Sequence, residues 1–228
     1  MTRLYTIHPA IKEKVPGLRL GIIRYHESKL SATPKLLQGR VNLFMENMRM
    51  DYLDKAVSDV PGVKEMRSVF KSLGMDPSRY RPSNEALIRR ILQNKPFSWV
   101  NSGVDVNNFL SIQFGLPAGL YNADKIQGDI ILRSGELGDV YDGLNGREIT
   151  GEDKFFLADN KGIFGSPFVD SVRTRVDEAT VELLHIFFIP PAYNRYPEEQ
   201  ILRGAAEMFT NINGGSSGID GQPFLIIS

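Results

Sequence analysis

The sequence predicts an α+β fold, and two observations carry that reading. Through the first half, apolar residues recur at three- and four-residue steps, the spacing of amphipathic helices. From Trp99 onward the texture changes to short apolar runs separated by Asn/Gly turns, the pattern of hairpin strands. Helices gathered early and hairpins late differ from the regular strand–helix alternation of a doubly wound sheet. The chain has 228 residues, 42% hydrophobic and 24% charged, enough to bury a substantial core.

The elements follow in order. Residues 18–24, apolar and β-branched, form a first strand. Pro34 opens a helix carrying Leu37, Val41, Leu43, Phe44 and Met48. Asp59 as cap and Pro61 as first residue start a second helix through Val63, Met66, Val69, Phe70 and Leu73, which Gly74 ends with Pro77 beyond. Ser83 caps a third, with Leu87, Ile88, Ile91 and Leu92 on its apolar face. Residues 104–114 keep helical spacing until Gly115-Leu116-Pro117. Strands are expected at 129–133, 139–142, 154–158 and 181–189. Leu144-Asn145-Gly146 and Asp159-Asn160-Lys161-Gly162 serve as turns, because Asn and Gly tolerate positive φ. A last helix runs from Pro197 through Met208-Phe209 to Asn213-Gly214-Gly215. Residues 214–221 are flexible by composition, and 224–227 form a closing strand. We divide the chain into an N-terminal strand-and-helix extension, 1–60, and a main domain, 61–228, within one compact unit.

Composition removes several function classes. No cysteine means no disulfide, thiolate metal site or cysteine nucleophile. His8, His26 and His185 lie too far apart for a zinc-protease motif, and Asp170, Asp177 and Glu178 read as a solvated acidic loop; no metal and no cofactor is expected. Gly115-Leu116-Pro117-Ala118-Gly119 lacks a P-loop lysine, and its proline removes an N–H that a phosphate cradle needs. His185, inside an apolar run, reads as a buried core histidine. The first twenty residues carry charge and proline where a signal peptide needs an apolar core. The longest apolar run, 183–189, falls far short of the ~20 residues that span a bilayer. A cytoplasmic protein without a membrane partner is expected.

Charge is balanced, 27 Lys+Arg against 27 Asp+Glu, which speaks against a coat for nucleic acid but allows a local patch. One exists. Lys64, Arg67, Lys71, Arg79, Arg81, Arg89, Arg90 and Lys95 outnumber Glu65, Asp76 and Glu85, with Tyr80 between two arginines. Two readings stay open: a phosphate-holding surface with an aromatic to stack a base, through Arg79, Arg81, Arg89 and Arg90, or a solvated helix face with i,i+4 pairs.

Two further segments resemble a known family. Val104-Asp105-Val106-Asn107-Asn108, Gly115-Leu116-Pro117, Asp124-Lys125-Ile126-Gln127-Gly128 and Arg133 form one set. Leu157-Ala158-Asp159 with Gly162-Ile163-Phe164-Gly165 forms the other. Both are similar to the editing module, the third and fourth B domains, of the bacterial phenylalanyl-tRNA synthetase beta chain. Phe70-Lys71-Ser72-Leu73-Gly74 and Arg79-Tyr80-Arg81-Pro82-Ser83 resemble a free-standing branch of that tRNA-binding domain family. The resemblance covers roughly 63–215. It implies helices packed on a largely antiparallel sheet or barrel-like core, and a stand-alone module acting on aminoacyl-tRNA, without a synthetase's machinery. In the parent enzyme the module hydrolyses wrongly made tyrosyl-tRNA.

By the same resemblance Asn107 and Asn108 fall where the family has a Thr-Asn pair beside the substrate, and Gly162 and Gly165 match a glycine hairpin that lets ligand approach backbone N–H groups. The hydrolysis implied needs a positioned water and oxyanion donors. Departures are equally informative. Gly119 stands in place of a histidine, and the strand around His185 lacks the glutamate that would recognise a tyrosine hydroxyl, so a preference for Tyr over Phe is not expected. Thr174 and His185 are candidates for polar roles in a rebuilt pocket, Thr174 beside the two asparagines as catalytic, His185 with Gly119, Gly162 and Gly165 as lining. The leading reading is a deacylase that hydrolyses a mischarged aminoacyl-tRNA ester with a positioned water; the alternatives are a non-catalytic module binding tRNA or its aminoacyl end, and a sensor of an amino acid or metabolite.

Overall fold

A computed structural model describes residues 3–228; Met1 and Thr2, which begin the charged N-terminal stretch, lie outside it. Its architecture is α+β, built as stacked layers. The central sheet is antiparallel. Strand β2 (Arg19–His26) lies in its middle, paired on one side with β9 (Leu183–Ile189), which in turn pairs with β3 (Ala118–Asn122). On its other side β2 pairs with β10 (Ser216–Ser217) and β11 (Leu225–Ile227). A second sheet runs β1 (Tyr5–Ile7), β4 (Ile130–Ser134), β7 (Phe155–Asp159), β8 (Gly162–Gly165), with only β1 and β4 parallel. A separate hairpin pairs β5 (Val140–Asp142) with β6 (Glu148–Thr150).

Period-2 alternation along β9 sorts the core into two sides. Leu183, Phe187 and Ile189 join the side covered by four helices: α2 (Lys35–Asp51), α4 (Ser83–Leu92), α5 (Ser102–Phe114) and α6 (Glu198–Asn213). Leu184, Ile186 and Phe188 face the second sheet, with α1 (Pro9–Lys14) and α3 (Val63–Ser72) at its margin. A third small cluster, Tyr141, Ile149, Phe156, Ala158 and Ile163, lies under the β5–β6 hairpin. β9 is therefore buried along its whole length, which explains its unbroken apolar run.

Several expected boundaries shift for identifiable reasons. Residues 57–59 form a separate 3-10 turn, and α3 starts after Gly62, whose N–H donates to Glu65 Oε2 at 2.8 Å; Asp59 and Pro61 lie before the helix and do not start it. Gly62 and Gly115 sit in the left-handed region where their backbones cross, and a Cβ on either would collide with the opposite segment. Pro82, not Ser83, is the N-cap of α4; the Ser83 N–H donates instead to Pro167 O at 2.8 Å. Residues 214–221 are paired rather than free: Ser216 and Ser217 lie against His26 and Tyr25, and Ile219 bridges Gln222. β1, α1 and β3 had no expected counterpart. The first 60 residues supply β1 and β2, each paired to a strand from the later part of the chain.

Candidate functional site

Two neighbouring regions gather most of the residues singled out by the sequence. The first is a cradle between the sheets. Gly119 on β3 and Gly165 on β8 face each other across the ring of Tyr121, and a Cβ at either glycine would collide with the Tyr121 phenol. Tyr121 is fully buried, packed edge-on to Phe164 with ring centroids 5.2 Å apart. Its hydroxyl donates to Asp170 Oδ1 at 2.7 Å, and the Ser166 N–H donates to the same oxygen at 3.3 Å. Asp170 is half-buried, and its carboxyl loses much of its hydration to the surrounding protein. That desolvation pushes its pKa up to about 7, against the lowering effect of the two hydrogen bonds. The expectation of a solvated acidic loop is corrected here for Asp170; Asp177 does act locally, accepting from the Ala179 N–H at 3.1 Å. Burial and the adjacent Asp170 also raise the Tyr121 pKa well above its ordinary value.

Thr174 closes this cradle. It is buried, with its hydroxyl 3.1 Å from Ser171 Oγ and 3.4 Å from Phe164 O. Gly162 lies at the far end of the β7–β8 turn, its carbonyl accepting from Arg173 at 3.4 Å. Arg173 also grips Asp159 with two 3.0 Å hydrogen bonds. Burial works to raise the Asp159 pKa, but Arg173 and two backbone N–H donors outweigh it and hold the carboxyl below its ordinary value.

His185 and the two asparagines lie elsewhere. His185 is fully buried on the helix-facing side of the central sheet, the side away from Tyr121, with Nδ1 3.1 Å from the Tyr25 hydroxyl. Burial lowers its pKa to about 3, so it is neutral, and Nε2 has no partner. Thr174 and His185 thus do not share a pocket. Asn107 and Asn108 sit on α5. Asn107 donates to Asn108 Oδ1 at 3.3 Å and leaves its own buried Oδ1 unpartnered. Asn108 lines a recess of about 40 Å³ together with Arg90 and Lys95. Ahead of them in the motif, Asp105 is fully buried and braces the loops, accepting from the Thr33 hydroxyl and the Val100 N–H.

The second region is cationic. Glu85, buried on α4, is shared by three arginines: Arg67 at 2.9 Å, Arg89 at 3.1 Å and Arg81 at 3.6 Å. Three guanidinium groups around one carboxylate leave two positive charges in excess. Arg90 points to the following loop, donating to Pro96 O and Ser98 Oγ. Arg79 and Arg81 line an open recess of about 340 Å³ with Tyr80, Arg147, Phe168 and Val169. This recess and the cradle share the loop 166–170. Sequence reasoning missed Tyr121, Asp170 and Arg147. Gly119 two residues before Tyr121 was the one available signal, since a glycine on the same strand face leaves room for the ring to fold back. Among the described residues, no group of three or more His, Asp or Glu side chains could hold a metal ion, and no helix is long and apolar enough to cross a membrane.

Residues 65–195, which include every candidate above, match the B3/4 domain, and the chain belongs to that family. Among relatives, it is 28% identical over 207 residues to the uncharacterized protein YhzB of Bacillus subtilis (strain 168), covering 90% of this chain and 93% of that one. It is also similar to phenylalanine–tRNA ligase beta subunits. Identity is 33% over 84 residues with that of Bartonella quintana (strain Toulouse), covering 36% of this chain and 10% of the subunit. It is 28% over 96 residues with that of Wolbachia sp. subsp. Brugia malayi (strain TRS), covering 42% and 12%. A solved N-terminal fragment of the phenylalanyl-tRNA synthetase beta-subunit from Pyrococcus horikoshii aligns over 95% of this chain and 52% of that one, at 12% identity and a TM-score of 0.43.

Proposed function

We propose that this protein binds tRNA, at or near its aminoacyl end, without needing to hydrolyse the ester. The observation that carries this reading is the cation excess around α4. Arg67, Arg81 and Arg89 share one buried carboxylate, while Arg79 and Arg90 add two more charges on the same stretch. Phosphate contacts supply most of the sequence-independent affinity for nucleic acid, and arginine forks suit them. Membership of a family that recurs within tRNA ligase beta subunits supports the same partner. The filled cradle favours binding over catalysis: between Gly119 and Gly165 the space is taken by the chain's own Tyr121.

A second reading, hydrolysis of a mischarged aminoacyl ester, is favoured by one feature. Asp170 has a pKa near 7 and is hydrogen-bonded to the Tyr121 phenol, a carboxyl poised to accept a proton at neutral pH. Filter binding with a salt titration, run beside deacylation of a mischarged tRNA panel, separates the two. We expect salt-dependent binding and no acceleration of ester loss over buffer. Acceleration on any panel member would establish the second reading, and binding without a salt-dependent slope would defeat the first.

A further inference from the structure

We infer that the recess between residues 79–81 and the β5–β6 hairpin is a phosphate-binding site, made for the phosphate of a nucleotide. It goes beyond the tRNA reading, because it would hold that group whichever molecule carries it, and it brings in Arg147, from a different part of the chain.

Both rims are fixed by backbone contacts. On one, Asp76 accepts from the Ser78 N–H through Oδ1 at 2.8 Å and from the Arg79 and Tyr80 N–H groups through its carbonyl, which shapes a tight turn. The Ser83 N–H then anchors the exit on Pro167 O. Arg79, Tyr80 and Arg81 are thereby presented together. On the other rim, the Tyr141 hydroxyl donates to Val169 O at 2.7 Å and the Leu144 N–H to Asp170 O at 2.9 Å, seating the hairpin on loop 166–170. Asn145 Oδ1 accepts from the Arg147 N–H at 3.1 Å and sets the turn from which Arg147 projects. Phe168, Val169 and Ile149 complete the lining with apolar surface.

The electrostatics of this arrangement are unbalanced. Arg79, Arg81 and Arg147 face Glu148 as the one acidic lining residue. The side chains of Arg79 and Arg147 make no hydrogen bond or ion pair among the described residues. Arg81 Nε is buried without a hydrogen-bond partner, 3.6 Å from the Glu85 carboxylate. Lys154 adds to the field, its ammonium 4.9 Å from the centre of the Tyr80 ring while Arg79 lies 5.2 Å from it. Cations converging over an apolar floor focus positive potential, and guanidinium groups match a phosphate by paired N–H donors. A volume of about 340 Å³ takes a phosphate with its attached sugar, against the apolar surface of Phe168 and Val169.

The test is calorimetric titration at low salt with inorganic phosphate, AMP and a CCA-ended tRNA, using wild type and Arg147→Ala. Arg147 is exposed and holds no other element, so the variant should fold, which circular dichroism checks. We expect phosphate and AMP to bind wild type, AMP more tightly. Arg147→Ala should weaken both about tenfold, and Arg147→Lys should restore part of the loss. Absence of binding by either small probe, or equal affinity in Arg147→Ala, overturns the site. If tRNA binds wild type and Arg147→Ala alike while the small probes fail, the phosphate site falls and the tRNA reading stands. If the small probes bind through Arg147 but tRNA does not, the tRNA reading falls and the site stands.

Discussion

The cradle and the arginine recess share one loop, residues 166–170, yet they solve opposite problems. In the cradle the Tyr121 hydroxyl and the Ser166 N–H both meet the same oxygen of Asp170, and two glycines make space for a ring the chain itself supplies. In the recess three arginines share space with a single carboxylate, and the side chains of two of them have no hydrogen-bond or ion-pair partner among the described residues. The contrast teaches where to look for a ligand. A glycine pair is a sign of close approach, but what approaches can be the protein's own side chain. Unspent cationic donors are the stronger sign of an external partner.

The largest expected effect breaks the cradle. Tyr121→Ala removes a buried ring and a hydroxyl, at a cost of about 4 kcal/mol and roughly 10 °C in Tm. Because the cavity is ring-shaped and flanked by glycines, phenol in solution should restore part of that loss in thermal unfolding. If phenol does nothing, the space collapses and the glycines are not a cradle. Next, Glu85→Ala leaves Arg67, Arg81 and Arg89 without their shared carboxylate. It should destabilise by about 3 kcal/mol, measured by urea unfolding. Loss below 1 kcal/mol would mean the three pairs are effectively solvated.

A subtler effect concerns pH. Asp170 has a folded-state pKa of about 7 against an ordinary 3.8, so the folded protein holds a proton that the unfolded chain releases over that interval. Its contribution is therefore fully present below about pH 4 and lost as pH rises to 7, where the folded group ionises at last. Asp170→Asn should flatten the fall in stability between those values; an unchanged profile contradicts the desolvated carboxyl. The smallest structural effect belongs to the arginine face. Arg79→Ala should change stability by less than about 0.5 kcal/mol while weakening tRNA binding across all sequences tested.

How much of this was legible beforehand follows from range. Helices α2 to α6 were readable because periodicity, Pro77, Gly115 and the closing glycines act over a few residues. β3 was not, because Ala118 and Gly119 carry no strand signal and follow a helix stop at once; only pairing with β9 makes them a strand. The cation excess was visible as composition, since Arg79, Arg81 and Arg89 are neighbours in sequence. That Arg147 joins two of them, or that Asp170 reaches Tyr121 across 49 residues, depends on how the β5–β6 hairpin and loop 166–170 pack, which no local pattern records.

The central claim is that the arginine face, and not the cradle, meets the nucleic-acid partner. Its most direct test is the salt dependence of tRNA binding by wild type and by the Arg79→Ala/Arg81→Ala pair. If each arginine neutralises one phosphate, the slope of log K against log salt should shrink by about 1 per residue, about 2 in all. A double variant that binds tRNA with the wild-type slope and affinity would contradict the account.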